Sequence, residues 1–346
     1  MSARLERLVA RLEEPLLVTT PVNVRYLVGF DSSNAALLVS RDGTRLYTDF
    51  RYIEAARSVP GVDVVQTERD VFRALGESLE GRIGFESTHV TYARWETLRR
   101  SGAELVPHAG MVESQRAVKD ADELERLRHA SAIATRALER LVEQQPWSGR
   151  TERELARELE RLMIDEGADE IAFSTIVAAG DNGALPHAHP GDTKLAPGML
   201  VTIDWGARVD DYCSDCTRTF AVGEIDAKLR EIYGVCLTTQ VESLSAVQAG
   251  ARGGDVDLVA REHIDAAGYG EAFGHGLGHG VGIEVHEAPT MRPESEDTLE
   301  PGNVVSVEPG IYLPGIGGVR IEDLVVVTDG EPEILTHFPK ELRTVS

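Results

Sequence analysis

The sequence contains few cysteines. Cys213, Cys216 and Cys236 are the only three in 346 residues, too few and too unevenly spaced for a disulfide framework. We therefore expect a reducing, cytoplasmic compartment. Cys213 and Cys216 match the C-x-x-C spacing, but residues 212–217 have a strand pattern that would point the two side chains to opposite faces. A redox dithiol is not expected.

Basic residues and long apolar runs are also scarce. The 35 Lys and Arg are outnumbered by 58 Asp and Glu, a net charge of −23, and such an acidic surface repels phosphate backbones and anionic membranes. No apolar run is long enough to span a bilayer, and charges interrupt residues 1–9, unlike a targeting peptide. Leu5, Leu8, Val9 and Leu12 instead form one stripe of a helix. Neither nucleic acid nor membrane is an expected partner.

The length suits two domains, because single cores seldom grow beyond about 250–300 residues. Residues 1–115 alternate strand and helix patterns and predict a smaller α/β domain, whereas residues 116–346 combine helices with antiparallel hairpins and predict an α+β domain. Residues 120–123 predict the start of a long amphipathic helix, and Thr151 with Glu154 predicts a second helix that begins with a capping box. The expected N-terminal strands cover residues 35–39, 46–48 and 82–85, and the expected helices cover 52–57, 71–79 and 92–100. Further helices are expected at 226–248 and 255–267, and further strands at 200–203, 212–220, 304–307 and 319–328.

Two aspartates lie in the first predicted hairpin of the larger domain. If the chain turns at residues 209–210, Asp204 and Asp215 lie directly opposite each other. Opposed residues have Cβ atoms about 4.5–5.5 Å apart, and like charges there are destabilising unless a cation lies between them. The hairpin therefore predicts a metal site.

Two glutamates repeat this arrangement in a second predicted hairpin. Folding the Pro- and Gly-rich residues 309–318 about Gly315 places Glu308 opposite Glu322. Isolated buried carboxylates are costly, so two opposed acidic pairs within apolar strands favour a metal cage. The alternative is that all four acids are ordinary solvent-facing strand residues.

A glycine-rich segment carries three histidines. His275 and His279 have the spacing of a helical zinc pair, but the alternating glycines of residues 274–282 disfavour a helix. We expect extended or looped backbone, with residues 283–286 continuing as a strand, and no dinucleotide-binding fingerprint because no helix follows. A single histidine is most often structural, but His275, His279 and His286 within twelve residues indicate a site.

The two hairpins and this segment together predict a two-metal centre. Hard carboxylate oxygens with a single imidazole favour Mn²⁺-like ions, and four carboxylates offset most of the charge of two divalent cations. Two ions roughly 3.5–4 Å apart can deprotonate a shared water near neutral pH, which makes hydrolysis the first hypothesis. His187, in a loop between two prolines, is a further candidate. The predicted metal ligands are Asp204, Asp215, His279, Glu308 and Glu322.

With these motifs the chain resembles the M24-type "pita-bread" metallopeptidases, and among them the Xaa-Pro aminopeptidases and Xaa-Pro dipeptidases (prolidases). The resemblance extends from residues 23–30 to residues 319–323 and is most specific around the five predicted ligands. It implies an α+β fold, with a pita-bread (creatinase/aminopeptidase) domain at residues 116–346 and a smaller creatinase-like α/β domain at residues 1–115. It also implies two divalent ions, usually Mn²⁺ with Co²⁺ or Zn²⁺ as alternatives, and a homodimer.

The resemblance also implies a role for each site residue. Asp215 and Glu322 would bridge the ions, and Glu308 would accept the proton of the attacking water. His286 would stabilise the oxyanion that develops on the carbonyl before proline, and His187 would position the peptide. The residues expected to support them are His275, Tyr312 and Arg320.

Residue 290 bears on the choice between the two activities. Dipeptide-specific members often carry an Arg shortly after the His-Glu motif to bind the substrate's carboxylate, and Thr290 occupies that position here. Without this cation the site should accept longer peptides, so the expected activity is that of an Xaa-Pro aminopeptidase. The alternatives are an Xaa-Pro dipeptidase, if another cation replaces the Arg, and a non-catalytic binding protein of the same fold. Methionine aminopeptidases typically lack the N-terminal domain, and creatinase-like enzymes lack the metal ligands.

Overall fold

A computed structural model describes residues 2–346. The chain divides into two compact units, Met1–Arg116 and Ala117–Ser346. The strands of the N-terminal unit are β1 (Leu16–Val18), β2 (Ala35–Ser40), β3 (Gly43–Asp49), β4 (Asp63–Thr67), β5 (Arg82–Glu86) and β6 (Glu104–His108). Its helices are α1 (Ala3–Ala10), α2 (Pro21–Val28), α3 (Ile53–Ala56), α4 (Val71–Ser78), α5 (Tyr92–Leu98) and α6 (Glu113–Ala117), the last of which reaches the division.

The N-terminal strands form one mixed sheet in the order β4-β3-β2-β1-β5-β6. The three predicted strands correspond to β2, β3 and β5, and the three predicted helices to α3, α4 and α5, so these predictions are confirmed. The sequence pattern does not reveal the two edge strands, because β4 and β6 have no fully buried residue and therefore no apolar alternation. Leu5 and Leu8 of α1 are buried, as is Leu12 just beyond its end, while Val9 is half-buried, so the predicted apolar stripe packs against the domain.

The C-terminal unit contains four long helices. Two of them begin at the predicted positions: α8 has the predicted capping box of Thr151 and Glu154, and α7 begins with a capping box of Asp120 and Glu123 that the sequence analysis does not predict. No helix within residues 2–346 is long and apolar enough to cross a membrane. The helices are α7 (Ala121–Glu143), α8 (Glu152–Asp165), α9 (Ala227–Ala246) and α10 (Gly253–Ala266).

Fourteen short strands make up the sheets of the C-terminal unit. They are β7 (Glu170–Ile171), β8 (Ile176–Ala179), β9 (Leu200–Trp205), β10 (Ala207–Val209), β11 (Tyr212–Cys213), β12 (Cys216–Val222), β13 (Gly278–Gly280), β14 (Glu287–Met291), β15 (Val304–Val307), β16 (Gly310–Leu313), β17 (Gly317–Arg320), β18 (Asp323–Val326), β19 (Glu333–Ile334) and β20 (Thr344–Val345). The sheet orders are β11-β10-β7, β20-β12-β9-β8, β14-β13-β15-β18-β19 and β16-β17.

Two apolar clusters bury these elements. In one, α7 and α8 pack with residues of β8, β9 and β12, and Trp147 and Trp205 are fully buried. In the other, α9 and α10 pack with residues of β15, β16, β17 and β18. Of the predicted ligands, Asp204 lies on β9 and His279 on β13. Asp215, Glu308 and Glu322 lie in short connections next to β12, β15 and β18, so the packed strands fix the backbone that carries them.

The first hairpin has a different register from the predicted one. Asp204 pairs with Thr217 rather than Asp215, because the turn is formed by Asp210 and Asp211, both with positive φ (47° and 77°), the backbone of a type I′ turn. The predicted strand over residues 212–220 is also interrupted, since Asp215 lies between β11 and β12. A shift of two residues keeps every side chain on its face, so Asp215 becomes a diagonal neighbour of Asp204.

The second hairpin has the predicted register. Val307 pairs with Asp323, and Leu313 pairs with Gly317, so the chain folds about Gly315 and brings Glu308 opposite Glu322. The predicted turn is too long, because residues 310–313 and 317–320 are strands themselves. Residues 283–286 are bends instead of the predicted strand.

All three cysteines are free and buried. Burial raises the pKa of the Cys213 thiol and raises that of Cys216 well above its ordinary value. Buried, protonated thiols are poor nucleophiles, in agreement with the expectation that this pair is not a redox dithiol.

Candidate metal centre

Three carboxylates from the two hairpins converge. Donor atoms of Asp204, Asp215 and Glu322 all lie within 4.8 Å of one another. Asp204 is on β9, Asp215 precedes β12, and the backbone N–H of Glu322 donates to the carbonyl oxygen of Thr217 at 3.0 Å. This backbone bond joins the second hairpin to β12, which is why acids more than a hundred residues apart meet.

His279 and Glu308 complete the group of five predicted ligands. His279 Nε2 lies 3.2 Å from Glu308 Oε1 and 3.8 Å from Asp215 Oδ2. Ser306 holds both, because its hydroxyl accepts from the backbone N–H of His279 and donates to Glu308 Oε1, each at 3.1 Å. The structure therefore brings all five predicted ligands together in the C-terminal unit.

The glycines beside His279 are required by close backbone approach. A Cβ added at Gly278 would overlap the carbonyl oxygen of Ser306, and one added at Gly280 would overlap that of Ala288. β13 lies between β14 and β15, so the glycines let the strand that carries His279 fit between its neighbours. The sequence predicts from these glycines only an extended or looped backbone, and this close packing is visible in the structure alone.

The pKa values show that negative charges are crowded here. Burial and neighbouring carboxylates raise the pKa of Asp215 and of Glu322 well above their ordinary values, and burial raises that of Asp204 despite the nearby Arg320 guanidinium. Burial alone would raise the pKa of Glu308 too, but its hydrogen bond to His279 and the charges around it lower that pKa to about 2. The crowded acids thus need additional positive charge to ionise together.

Two carboxylate oxygens have no protein donor. Asp204 Oδ1 and Glu322 Oε1 are buried and form no hydrogen bond with any of residues 2–346. Unsatisfied buried oxygens are costly, and hard oxygen donors beside one imidazole suit divalent ions such as Mn²⁺. The residues present therefore fit a dinuclear metal centre.

Arg320 connects the acidic residues to neighbouring hydroxyl groups through hydrogen bonds. Its guanidinium donates to Asp204 Oδ2 at 2.6 Å, to the Tyr312 hydroxyl at 2.9 Å and to Thr217 Oγ1 at 3.1 Å. Thr217 Oγ1 in turn donates to Glu322 Oε2 at 2.7 Å. Arg320 and Tyr312 are expected from the sequence, whereas the Thr217 and Ser306 hydroxyls are not. Side-chain alternation along β12 and β15 is the only signal that could have indicated them.

A cavity of about 650 Å³ opens above the acids. Its wall includes the remaining predicted histidines: His275 Nε2 lies 2.8 Å from the Tyr312 hydroxyl, and the His286 ring centroid lies 4.2 Å from that of His279. Burial lowers the pKa of both His275 and His286, so both are neutral at pH 7. His187 is exposed and also lines the cavity. The structure thus groups every predicted site residue at one cavity or directly behind it.

Comparison with known proteins identifies the family. Residues 125–329 match the model of Metallopeptidase family M24, and residues 4–118 match the Creatinase/Prolidase N-terminal domain. The chain belongs to metallopeptidase family M24. This M24 chain is 36% identical to a Pyrococcus furiosus protein named Xaa-Pro dipeptidase, over 99% of this chain and 100% of the other.

Solved structures of M24 relatives superpose closely. A structure described as Xaa-Pro dipeptidase from Bacillus anthracis has a TM-score of 0.94 and 38% identity, covering 99% of each chain. An X-Pro aminopeptidase from Thermotoga maritima has a TM-score of 0.88 and 35% identity, covering 99% of this chain and 100% of that one. The pita-bread fold with its α/β N-terminal part is confirmed, and the protein is a metallo-exopeptidase.

Proposed function

We propose that this M24 protein is a two-metal Xaa-Pro dipeptidase, and that Mn²⁺ is its ion, with Co²⁺ or Zn²⁺ as alternatives. The relatives named Xaa-Pro dipeptidase support the substrate class. One observation carries the choice of a dipeptide: the guanidinium of Arg292 lines the same cavity as the five predicted metal ligands.

Arg292 compensates for the cation that is missing at residue 290. The Arg292 guanidinium forms no hydrogen bond or ion pair with any of residues 2–346, and its side chain is exposed. Thr290 is bound elsewhere, since its hydroxyl lies 2.9 Å from Asp297 Oδ2 and from Ser295 Oγ. Thr290 and Arg292 both line the cavity, so Arg292 offers a cation at the same wall, just beyond the end of β14. A free guanidinium is the natural partner of a substrate carboxylate.

The Xaa-Pro aminopeptidase, which the sequence alone favours, becomes the second candidate. It is supported by the neutral Thr290 and by the similarity to the Thermotoga maritima enzyme. The preference changes because Arg292, which the prediction from residue 290 leaves out, lines the same cavity.

The chain's own residues have separable roles in this proposal. When bound, two divalent ions would supply Lewis acidity and a water of lowered pKa. Glu308, which is ionised in the metal-free protein, would accept the proton of the attacking water. His286, neutral at pH 7, donates to the carbonyl oxygen as negative charge develops there. His187 orients the peptide around the bond before proline.

Asp204 and Arg320 provide the other end of the substrate site. The substrate's free α-amine would approach Asp204, whose second oxygen is already engaged by Arg320. Asp215, Glu322 and His279 would hold the ions together with Asp204 and Glu308, while His275 and Tyr312 support the side of the cavity.

Homodimer formation and a cytoplasmic location stay predictions. Analytical ultracentrifugation would test homodimer formation.

A substrate panel tests the proposed function. Metal-free and Mn²⁺-loaded protein would be assayed on an Xaa-Pro dipeptide, the same dipeptide with an amidated C-terminus, and an Xaa-Pro-Yaa tripeptide. We expect Mn²⁺-dependent hydrolysis of the free dipeptide at least ~10-fold faster, in kcat/KM, than of the amide, because the amide lacks the carboxylate. Faster cleavage of the tripeptide would favour the aminopeptidase. Bound Mn²⁺ with no hydrolysis of any substrate would favour a binding protein.

A further inference from the structure

The carboxylate of Glu152 binds both ends of one loop. Glu152 is the first residue of α8 and is fully buried. Its oxygens accept from the backbone N–H of Ala179 at 2.7 Å and from that of Gly191 at 2.9 Å. The Asn182 side-chain amide donates to both oxygens, at 2.9 and 3.1 Å. One buried side chain therefore connects two backbone positions that flank residues 180–190.

This loop carries His187 to the cavity. His187 lines the cavity, and the preceding carbonyl oxygen, that of Pro186, accepts from Arg320 Nη1 at 3.2 Å. The loop has a second support where Gly183 meets the backbone of Gly318 so closely that an added Cβ would lie 3.1 Å from the Gly318 nitrogen. The anchored ends fix where His187 and the Pro186 carbonyl stand.

We propose that Glu152 is a positioning residue that acts through His187. Its carboxylate fixes both ends of the loop 180–190 and thereby holds the His187 imidazole where it meets the peptide. The proposal rests on the proposed function insofar as His187 contacts substrate. Glutamine cannot replace the carboxylate, because it offers only one acceptor oxygen and would turn an N–H₂ group toward a backbone N–H donor.

A purely structural role is the alternative. A carboxylate in the first turn of a helix also stabilises that helix through the dipole, and its loss would lower stability without specific effect on His187. A double-mutant cycle separates the two roles. The variants are Glu152→Gln, His187→Ala and the double variant, with Glu160→Gln as the matched control on the same helix.

We expect Glu152→Gln to lower kcat/KM on the Xaa-Pro dipeptide by on the order of 10- to 100-fold, mainly through KM, because small misplacements of positioning groups have effects of this size. In the His187→Ala background the same change should cost less than ~3-fold, since the group it positions is already gone. Glu160→Gln should have wild-type kinetics. Effects of Glu152→Gln and His187→Ala that multiply would overturn the proposal.

Hydrogen exchange provides a readout that is independent of activity. In Glu152→Gln the amides of Ala179 and Gly191 should exchange at least ~10-fold faster, with unchanged exchange in α7 and unchanged Mn²⁺ affinity by calorimetry. Unchanged protection of these two amides would show that Glu152 does not hold the ends of the loop, whether or not the protein hydrolyses any peptide. If Glu152→Gln does not fold, Asn182→Ala takes its place. We expect Asn182→Ala to lower kcat/KM by a smaller factor, and we expect this decrease to disappear in the His187→Ala background. An Asn182→Ala protein with wild-type kinetics and wild-type protection would then refute the inference.

Discussion

Arg320 Nη2 donates to Asp204 Oδ2 at 2.6 Å, while Asp204 Oδ1 has no donor among residues 2–346. One oxygen of this carboxylate is therefore bound to a fixed cation, and the other oxygen is available to coordinate a metal ion. This arrangement holds the available oxygen in place before any ion arrives, and it supports the interpretation of the site as a metal centre.

Mn²⁺ should stabilise the protein more at pH 8 than at pH 5.5. The folded metal-free protein has raised pKa values at Asp215 and Glu322, so their contribution to stability is present at low pH and is lost as the pH rises through those values. Ions replace the protons, and each ion present at 100 times its Kd adds about 2.7 kcal/mol. Thermal melts with and without Mn²⁺ at both pH values measure this. Equal Tm increments at both pH values, or an undiminished increment in Asp215→Asn, would contradict it.

Substitution of His279 should separate metal binding from folding. His279→Ala is expected to lower metal content below two ions per chain and to abolish most activity, because it removes the one imidazole donor. The apolar clusters are untouched, so the Tm of the metal-free variant should stay within a few degrees of wild type. Metal analysis and melts test this, with His129→Ala on the exposed face of α7 as control. Two retained ions with full activity would refute the ligand assignment.

Arg292 should determine the preference for a free C-terminus. Arg292→Ala is expected to lower kcat/KM on the dipeptide by roughly 10- to 100-fold, the effect of losing a charge-assisted hydrogen bond of ~1.5–3 kcal/mol. Cleavage of the amidated dipeptide should change little, and Arg292→Lys should retain an intermediate rate. Parallel losses on both substrates would show that Arg292 does not bind the carboxylate.

The Thr217 hydroxyl should matter for metal affinity. Thr217→Val keeps the shape but removes the group that donates to Glu322 and accepts from Arg320, so we expect Mn²⁺ affinity to fall on the order of 10- to 100-fold. Calorimetry measures the affinity. Thr202→Val, which disturbs a buried hydroxyl pair with Thr219 on the same strands, is the control. Matching losses in the two variants would indicate a general packing effect instead.

The sequence predicts which residues form the site better than it predicts the local backbone geometry. Glu308 and Glu322 lie in the expected register because the chain turns symmetrically about Gly315. The Asp204 register differs by two residues because an Asp-Asp pair, a weaker turn signal than Asn-Gly, forms the turn. Asp215 still meets Asp204, since an even shift preserves the face. A register shift of one residue would have turned Asp215 to the opposite face of the hairpin, away from Asp204.

What the sequence does not reveal depends on long-range contacts. Residues 283–286 have an extended pattern, yet the backbone N–H of Gly282 donates to the carbonyl of Glu284 and that of Cys213 donates to the carbonyl of Gly282, which bends the segment. Glu152 lies 27 residues from Ala179 and 39 from Gly191. No local period connects such partners, so only the folded chain shows them.

Gly278 and Gly280 have a consequence for mutational surveys. Neither can donate to an ion or touch a peptide through a side chain, yet a single methyl at either position would force β13 away from β15 or β14. His279 would move with the strand. A screen that scores only turnover would therefore rank two inert residues beside the ligands themselves, and would mistake tight backbone packing for chemistry.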